Sequence, residues 1–204
     1  MAVLTISRQF GSGGRTLGER IANRLGYRYA EEDMIKELAI KAKVSARQIK
    51  DFEQRGISKL LKFLDKIVSA SYVDRLASDN YRYVDEKIYM DAVETVIEDL
   101  YREGNVVIIG RGGQYILKGR ENVRHILLIA RLEHRIRFMM ERYSLNEDRA
   151  AKAIKRADQI RTRFLNLFAP EESHNDPLTY DVTINMERLS MEEAERLVVG
   201  LIST

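Results

Sequence analysis

Apolar residues recur along this chain at spacings that predict strands and helices in turn. Residues 3–7 form a short apolar and β-branched run, which favours a buried strand. Further on, Leu17, Ile21 and Leu25 recur every four residues and therefore share one face of a helix. Gly26 follows directly, at the position where a glycine often ends a helix. The beginning of the chain thus predicts a strand, a glycine-rich turn and a helix.

The same alternation continues to the end of the chain. Its apolar runs predict further strands at residues 27–30, 106–110, 125–130 and 180–184. Its helical spacings predict helices at residues 31–43, 45–50, 57–68, 84–102, 132–143 and 145–168. Ser190 and Glu193 form a capping box that opens a last helix, whose predicted apolar positions are Leu197, Val198 and Leu201. Strands that alternate with helices are typical of an α/β fold with a parallel sheet.

Three clusters of candidate chemistry follow predicted strands. In open parallel sheets, ligands bind beyond the carboxyl ends of the strands. Residues 11–16, residues 111–113 and Asn185 all lie at such ends. We therefore expect the functional site at this edge of the sheet.

The turn after the first predicted strand has the composition of a phosphate-binding loop. It consists of Gly11, Ser12, Gly13 and Gly14. Glycines accept positive φ angles, so successive backbone N–H groups can point into one concavity, to which the following helix adds its unpaired N–H groups. Arg15 adds a full charge, and the hydroxyl of Thr16 stands where a Mg²⁺ ligand is expected. We predict that this loop binds the β- and γ-phosphates of a nucleoside triphosphate.

The loop departs from the pattern G-x-x-x-x-G-K-[ST] in two places. Aligning residues 14–16 with G-K-[ST] puts Gln9 at the first glycine and an arginine at the lysine. A glycine turn that only opens an ordinary helix is the alternative interpretation. The preceding strand and the following helix favour phosphate binding, because the motif requires both.

Positive charge is concentrated on the helix predicted before the last strand. Lys152, Arg156 and Arg163 share one face of it, because they are spaced by four and seven residues. Asp158 and Arg161 lie three residues apart on a neighbouring face. Such a helix could close over a triphosphate as a lid. It could equally be a solvated surface on which Asp158 and Arg161 form a weak pair.

Arg111 is a candidate ligand of a phosphate or a ribose. It directly follows a predicted buried strand and stands between Gly110 and Gly112, whose small size lets a bulky substrate approach the backbone. The alternative is a turn arginine that packs on a helix. The three histidines are scattered along the chain, and we assign them neither a catalytic role nor a metal site.

The acidic partner of a Mg²⁺ ion is harder to identify. Neither of the strands predicted at residues 106–110 and 125–130 ends in an aspartate. Thr16, the phosphates and water could hold the ion, together with Glu31 or Asp33.

Composition limits the class of protein. The chain has 204 residues, of which 45% are hydrophobic and 32% charged, as in a globular protein with one sizeable core. It lacks a signal-peptide pattern, cysteines and an apolar run of about 18 residues, so we expect a cytoplasmic domain without disulfides or a membrane span. The net charge of +3 fits a pocket for several phosphates as well as it fits nucleic acid.

With these pieces in place, the chain resembles the cytidylate kinase-like family, a branch of the P-loop nucleoside monophosphate kinases. The resemblance lies in residues 6–15, 25–29, 107–113, 158–161 and 176–185. It implies one P-loop kinase domain over residues 1–204, with a three-layer P-loop NTPase-type fold and a parallel sheet of about five strands. It also implies a helical acceptor-binding insert at residues 31–83 and a helical lid at residues 145–175.

The resemblance implies that ATP, with Mg²⁺, donates its γ-phosphoryl group to CMP or dCMP. Residues 11–16 would hold the phosphates of ATP, with the metal ion on Thr16. Asn185, in the loop after the last predicted strand, would lie beside the adenine. Arg15 would neutralise charge on the transferring phosphoryl group.

Further roles implied by the resemblance concern the acceptor and the lid. Arg111 would match the acceptor-binding arginine of the relatives, although Gly112 replaces the aspartate that follows it there. Asp158 and Arg161 would match the Asp-x-x-Arg of the lid, in which the aspartate helps to read cytidine and the arginine contacts phosphate. The arginines expected to close on the nucleotide are Arg156, Arg161 and Arg163. The relatives' further lid arginine is replaced by Ile154, so Lys155 or Arg156 would substitute for it.

Two other functions stay open. The chain could be a P-loop kinase for another small acceptor, or a nucleotide-binding or sensing module without turnover, which the absence of a strand-ending aspartate favours. We expect small-molecule nucleotides as partners rather than nucleic acid or a membrane. The apolar helices predicted between residues 57 and 100 could be core or the contact of a homo-oligomer.

Overall fold

The computed structural model describes residues 1–31, 37 and 81–202, with the side chains of residues 81–88 left out. The chain forms two compact units, one of Met1–Glu31 with Leu100–Thr204 and one of Glu32–Asp99. The helices predicted at residues 45–50 and 57–68 lie outside the described residues, as does nearly all of the helix predicted at residues 31–43.

Five described strands and six described helices make up the fold, together with a short 3₁₀ turn at Pro177–Thr179. The strands are β1 (Val3–Arg8), β2 (Arg28–Ala30), β3 (Val106–Ile109), β4 (Val123–Ile129) and β5 (Val182–Asn185). The helices are α1 (Gly14–Leu25), α2 (Tyr81–Glu103), α3 (Gly113–Ile116), α4 (Leu132–Tyr143), α5 (Glu147–Leu165) and α6 (Met191–Ile202). Only the last turn of α2, from Leu100, belongs to the unit that carries the sheet.

The sheet is parallel throughout and has the strand order β2-β3-β1-β4-β5. The central strand β1 pairs with β3 and β4, and Val3 lies opposite both Val106 and Val123. These strands are apolar because helices cover the sheet. One core packs Leu4, Ile6 and their neighbours against α1 and α6. The parallel α/β fold predicted from the alternation of elements is therefore confirmed.

The predicted helix ends are also found. Gly26 adopts φ 65°, and its N–H donates to the carbonyls of Ala22 and Asn23, which closes α1. The hydroxyl of Ser190 accepts from the N–H of Glu193, whose carboxylate accepts from the N–H of Ser190. This reciprocal pair is the predicted capping box.

Some element boundaries and one core position were predicted wrongly. Strand β4 begins at Val123, two residues early, because that residue continues the ladder with Val3. Helix α5 ends at Leu165, since the chain then tightens into bonds from Leu167 and Phe168 to the third residue before each. Leu197, predicted to be an apolar position of α6, is 42% exposed, whereas the adjacent Val198 is buried. No helix in the described part of the chain is long and apolar enough to cross a bilayer.

Because His125 is buried, we predict that the fold loses stability at acidic pH. Its Nδ1 lies 2.7 Å from the hydroxyl of Thr5 on the neighbouring strand. Burial lowers the pKa of His125, and Asp181 opposes the shift only in part. Below a pH of about 6.5 the unfolded chain takes up a proton that the native chain does not, so the free energy of unfolding should fall by up to about 1.4 kcal/mol per pH unit.

The measurement is urea unfolding between a pH of about 5 and 7.5. Replacing the imidazole, as in His125→Asn, should reduce the slope of the unfolding free energy against pH below about 6.5. His174, whose pKa is lowered by burial and by Arg161, contributes in the same direction and remains in the variant. An unchanged slope would show that His125 does not carry this dependence.

Candidate active site

The loop between β1 and α1 is folded over the end of the sheet. Gly11 and Gly13 both adopt left-handed φ angles, of 84° and 82°. The amide of Ser12 donates to the carbonyl of Gln9 at 3.2 Å, and its hydroxyl donates to the same carbonyl at 2.8 Å. A Cβ on Gly11 would lie 3.2 Å from the backbone and side chain of Arg135, so α4 packs closely against the loop.

The backbone amides at the start of α1 are available to an anion. Within the described part of the chain, the N–H groups of Gly13, Gly14 and Thr16 have no hydrogen-bond acceptor. Gly13 is the N-cap residue and contributes no side-chain cap. Such unpaired N–H groups and the helix dipole favour a bound phosphate, so the backbone fits a polyphosphate.

Gln9, the residue that replaces the first glycine of the phosphate-loop pattern, has a structural role. Its side-chain oxygen accepts from the N–H of Ala130 at 3.1 Å, and its own N–H donates to the carbonyl of Leu128 at 3.0 Å. Both contacts tie the loop to the end of β4. The glutamine at this position therefore stabilises the loop, through a side-chain contact that a glycine could not make.

Glu31 collects three donors beside the loop. Its carboxylate accepts from Arg15 Nε at 2.7 Å, from the hydroxyl of Tyr29 at 2.8 Å and from Arg8 Nη2 at 3.3 Å. Burial, together with this hydrogen bond, raises the pKa of Tyr29. The carboxylate considered for the metal ion is thus already engaged by two arginines, of which sequence reasoning had not identified Arg8.

Three arginines gather at the ends of β1 and β3. Burial lowers the pKa of Arg8, and the charges of Arg111 and Arg161 lower it further, against the opposing effect of Glu31. Arg111 has a φ of 58° and lies between Gly110 and Gly112, which have φ angles of 71° and 72°. Like charges held together in this way favour a bound anion. That Arg111 binds a phosphate or a ribose stays a prediction.

Arg161 connects α5 to the sheet. Its Nη2 donates to the hydroxyl of Ser7 at 3.0 Å and to the carbonyl of His174 at 2.9 Å, and its Nη1 donates to Asn175 at 2.9 Å. Burial lowers the pKa of Arg161. The imidazole of His174 is fixed in turn by Tyr115, whose hydroxyl lies 2.7 Å from Nδ1. The weak pair of Arg161 with Asp158 that sequence reasoning had considered is replaced by these contacts.

Asp158 makes a different contact with the loop. Its carboxylate accepts from the N–H of Phe10 at 3.0 Å and from Arg135 Nη1 at 2.6 Å, and the same Nη1 donates to the carbonyl of Phe10 at 3.1 Å. Only 10% of the Arg135 side chain is exposed. Asp158 and Arg135 therefore hold both polar groups of one loop residue, which no sequence pattern had indicated.

The other predicted lid residues are spread over α5. Lys152 and Arg163 line a cavity of about 710 Å³ that Arg135 and Asp158 also line. Arg156 is exposed and is not among the residues that line this cavity. Ile154, at the position of the relatives' further lid arginine, is buried in a small apolar cluster between α4 and α5.

Asn185 ends β5, at the same edge of the sheet. Its side-chain oxygen accepts from the N–H of Glu187 at 3.0 Å. Arg131, the residue before α4, forms three hydrogen bonds to the carboxylate of Glu187 and lowers the pKa of that group to about 2. The predicted neighbour of the adenine thus adjoins an ion pair that joins α4 to the loop after β5.

A metal ion would find few protein ligands here. In the ranges that the structure describes, no three histidine or carboxylate side chains lie close enough to hold one. The hydroxyl of Thr16 remains the fitting donor, in the first turn of α1. Mg²⁺ in such sites keeps several waters and is held largely by substrate phosphates, so a hydroxyl at this position is compatible with a metal–nucleotide complex.

Comparison with known proteins places the chain among kinases of this architecture. The model of the cytidylate kinase-like family matches residues 3–188. An uncharacterized protein from Eubacterium ventriosum ATCC 27560 has a similar structure, with a TM-score of 0.66 and 17% identity over 99% of this chain and 98% of that one. Among the curated proteins, none matches the sequence.

Two solved kinases share the fold. Shikimate kinase from Bacteroides thetaiotaomicron matches with a TM-score of 0.53 and 13% identity, over 100% of this chain and 99% of that one. A gluconokinase from Sinorhizobium meliloti 1021 matches with a TM-score of 0.50 and 13% identity, over 99% and 91%. At such identities the likeness concerns the fold alone, and it confirms the predicted P-loop fold.

The contact between Asp158 and the loop predicts an unequal effect of two aspartates on α5. We expect Asp158→Ala to lower the free energy of unfolding by about 1–3 kcal/mol, because it leaves the partly buried Arg135 without its carboxylate and the Phe10 amide without an acceptor. Asp148→Ala, which removes only the exposed pair with Lys152, should cost less than about 0.5 kcal/mol. Equal losses in urea unfolding would contradict the assignment.

Proposed function

The chain belongs to the cytidylate kinase-like family, and from that premise we propose that it transfers the γ-phosphoryl group of MgATP to a nucleoside monophosphate, CMP or dCMP. One observation carries the proposal: the unpaired amides at the start of α1 and a group of arginines lie at the same edge of the sheet. Amides suit the phosphates of a donor, and a second set of cations suits the phosphate of an acceptor.

The donor half of the proposal rests on the loop and the start of α1. Residues 11–16 would bind the phosphates of ATP, and Thr16 would hold the metal ion. Bound MgATP would supply the transferable phosphoryl group and the neutralising charge of the ion. Asn185 lies at the carboxyl end of β5, which supports a place for it beside the base.

The acceptor half rests on the arginines. Arg111 would bind the acceptor phosphate, in a turn whose glycine neighbours leave the backbone accessible. In the transfer, an ionised oxygen of that phosphate forms the new bond to the γ-phosphorus as the bond to the β-phosphate oxygen breaks, and ADP leaves. An acceptor oxygen that is already ionised needs no general base, so cations are what the step requires.

The contacts proposed for the lid residues are supported to different degrees by the positions of these side chains. Arg161 is held at the end of β1 and would contact the transferring group, as would Arg15 at the start of α1. Arg156 and Arg163 are exposed on α5, so their proposed contacts need a movement of this helix during turnover. Asp158, bound here to the loop, would have to release that contact to read a cytosine.

The proposal predicts that ATP is consumed with CMP or dCMP. The measurement is ADP formation with MgATP against a panel of CMP, dCMP, UMP, AMP and GMP, together with shikimate and gluconate as acceptors that offer a hydroxyl. Turnover with a hydroxyl acceptor alone would replace the proposed acceptor and keep the donor. Tight ATP binding without any turnover would indicate a nucleotide-sensing module.

A second prediction concerns Arg111. We expect Arg111→Met to raise KM for the nucleoside monophosphate by at least about 10-fold and to change KM for ATP by less than about 3-fold, on the scale of one charge-assisted contact. Arg124→Met, which removes an exposed arginine of β4, is the matched control and should leave both constants unchanged. Equal increases for ATP and acceptor would contradict the assignment of Arg111.

A further inference from the structure

Arg15, the residue aligned with the loop lysine, is bound to a carboxylate, and the glycine before it has no side chain. In the phosphate-loop pattern the lysine follows the last glycine of the loop and reaches the β- and γ-phosphates. Here Gly13, with its left-handed φ, is the N-cap, and the first helical residue is another glycine, Gly14. Arg15 comes one position later, its side chain is 52% exposed and its Nε is bound to Glu31.

The space beside Gly14 is filled by Arg8. A Cβ on Gly14 would lie 2.9 Å from Cγ, 3.0 Å from Cδ and 3.1 Å from Cβ of Arg8. The stem of this arginine therefore runs along the backbone of the first helical residue, where a side chain from Gly14 would begin. Position 14 must therefore be a glycine, because a larger residue would overlap the side chain of Arg8, which extends from the end of β1.

The guanidinium of Arg8 lies beside Gly110, in the turn that follows β3. A Cβ on Gly110 would lie 2.6 Å from Nη1 of Arg8, and Gly110 opens the left-handed turn that carries Arg111. Arg8 Nη2 makes one hydrogen bond, of 3.3 Å, to a carboxylate that two other donors approach more closely. The charged group thus lies between the amides of the loop and the other arginines, with donors left over for an anion.

We propose that Arg8 takes the place of the loop lysine: it reaches the transferring phosphate of the nucleotide from the end of β1, through the space that Gly14 leaves open. This inference rests on the proposed kinase function and deepens it. The planar fork of the guanidinium can bind two oxygens of one phosphate through parallel N–H bonds, whereas a lysine binds as a point charge. Arg8 forms no covalent bond; it offsets the charge that develops between donor and acceptor, and Glu31 orients it.

The first test separates phosphate recognition from folding. Calorimetric titration should show that Arg8→Met weakens binding of MgATP by at least about 30-fold but changes binding of adenosine by less than about 3-fold, because only the phosphates meet the lost charge. Its kcat/KM should fall at least about 100-fold, and Arg8→Lys should recover part of it. A structural role alone would weaken ATP and adenosine equally.

Arg20→Met is the matched control. It also removes an arginine paired with carboxylates, because Arg20 binds Glu192 and Glu195 at the contact of α1 with α6. We expect it to lower the thermal unfolding midpoint and to leave the ratio of ATP to adenosine affinity unchanged. If Arg20→Met reduced the ratio of ATP to adenosine affinity as strongly as Arg8→Met does, the specific role of Arg8 would be overturned.

The second test moves the cation from position 8 to position 14. Gly14→Lys alone should lose activity, since its Cβ overlaps the Arg8 side chain. The double variant Arg8→Ala/Gly14→Lys has room for the lysine and should exceed Arg8→Ala in kcat/KM by at least about 10-fold. This comparison also decides the matter if Arg8→Met does not fold, and no recovery in the folded double variant would overturn the inference.

The outcomes distinguish the two proposals. Wild-type protein that binds MgATP no more tightly than adenosine would overturn the kinase function and this inference with it. If wild-type protein prefers MgATP to adenosine and the folded Arg8→Met variant shows the same preference and activity, only the role of Arg8 is overturned. Strong loss in Arg8→Met with recovery in the double variant would support both.

Discussion

The parallel pairing of β1 with β3 and β4 is the constraint on which the site depends. Ile6 lies opposite both Ile109 and Ile126, so the three strands run in register toward the same edge of the sheet. Because parallel strands end at one edge, the glycine loop, the left-handed turn at Arg111 and the loop after β5 all meet there. The backbone thus brings amides and guanidinium groups together before any side-chain contact is considered.

Among the described residues, the arginines at this edge differ in whether carboxylates pair with them. Glu31 accepts from both Arg8 and Arg15, whereas Arg161 is bound to a hydroxyl, a carbonyl and an amide oxygen, none of which carries a charge. Arg8, Arg111 and Arg161 also repel one another. A folded chain that holds like charges close is less stable than it would be with an anion among them, so such a site gains stability from its ligand.

Helices α4 and α5 form a subassembly with its own small core. Ile154, Ala150 and Met139 pack together away from the main sheet cluster. The polar contacts of Asp158 and Arg135 with Phe10 join this subassembly to the loop. An apolar core that keeps the two helices together and a polar contact with the loop are compatible with the lid proposed at residues 145–175.

The five strands, the glycine turn and the capping box at Ser190 could be predicted from the sequence, because hydrophobic period and cap chemistry act over a few neighbouring residues. The sequence also indicated the phosphate loop, since strand, glycines and helix are contiguous. Tertiary structure alone decided that Arg8 fills the space beside Gly14 and that Asp158 binds Arg135 instead of Arg161. The physical reason is that side-chain partners follow from sheet register and helix docking, which bring together residues far apart in the chain.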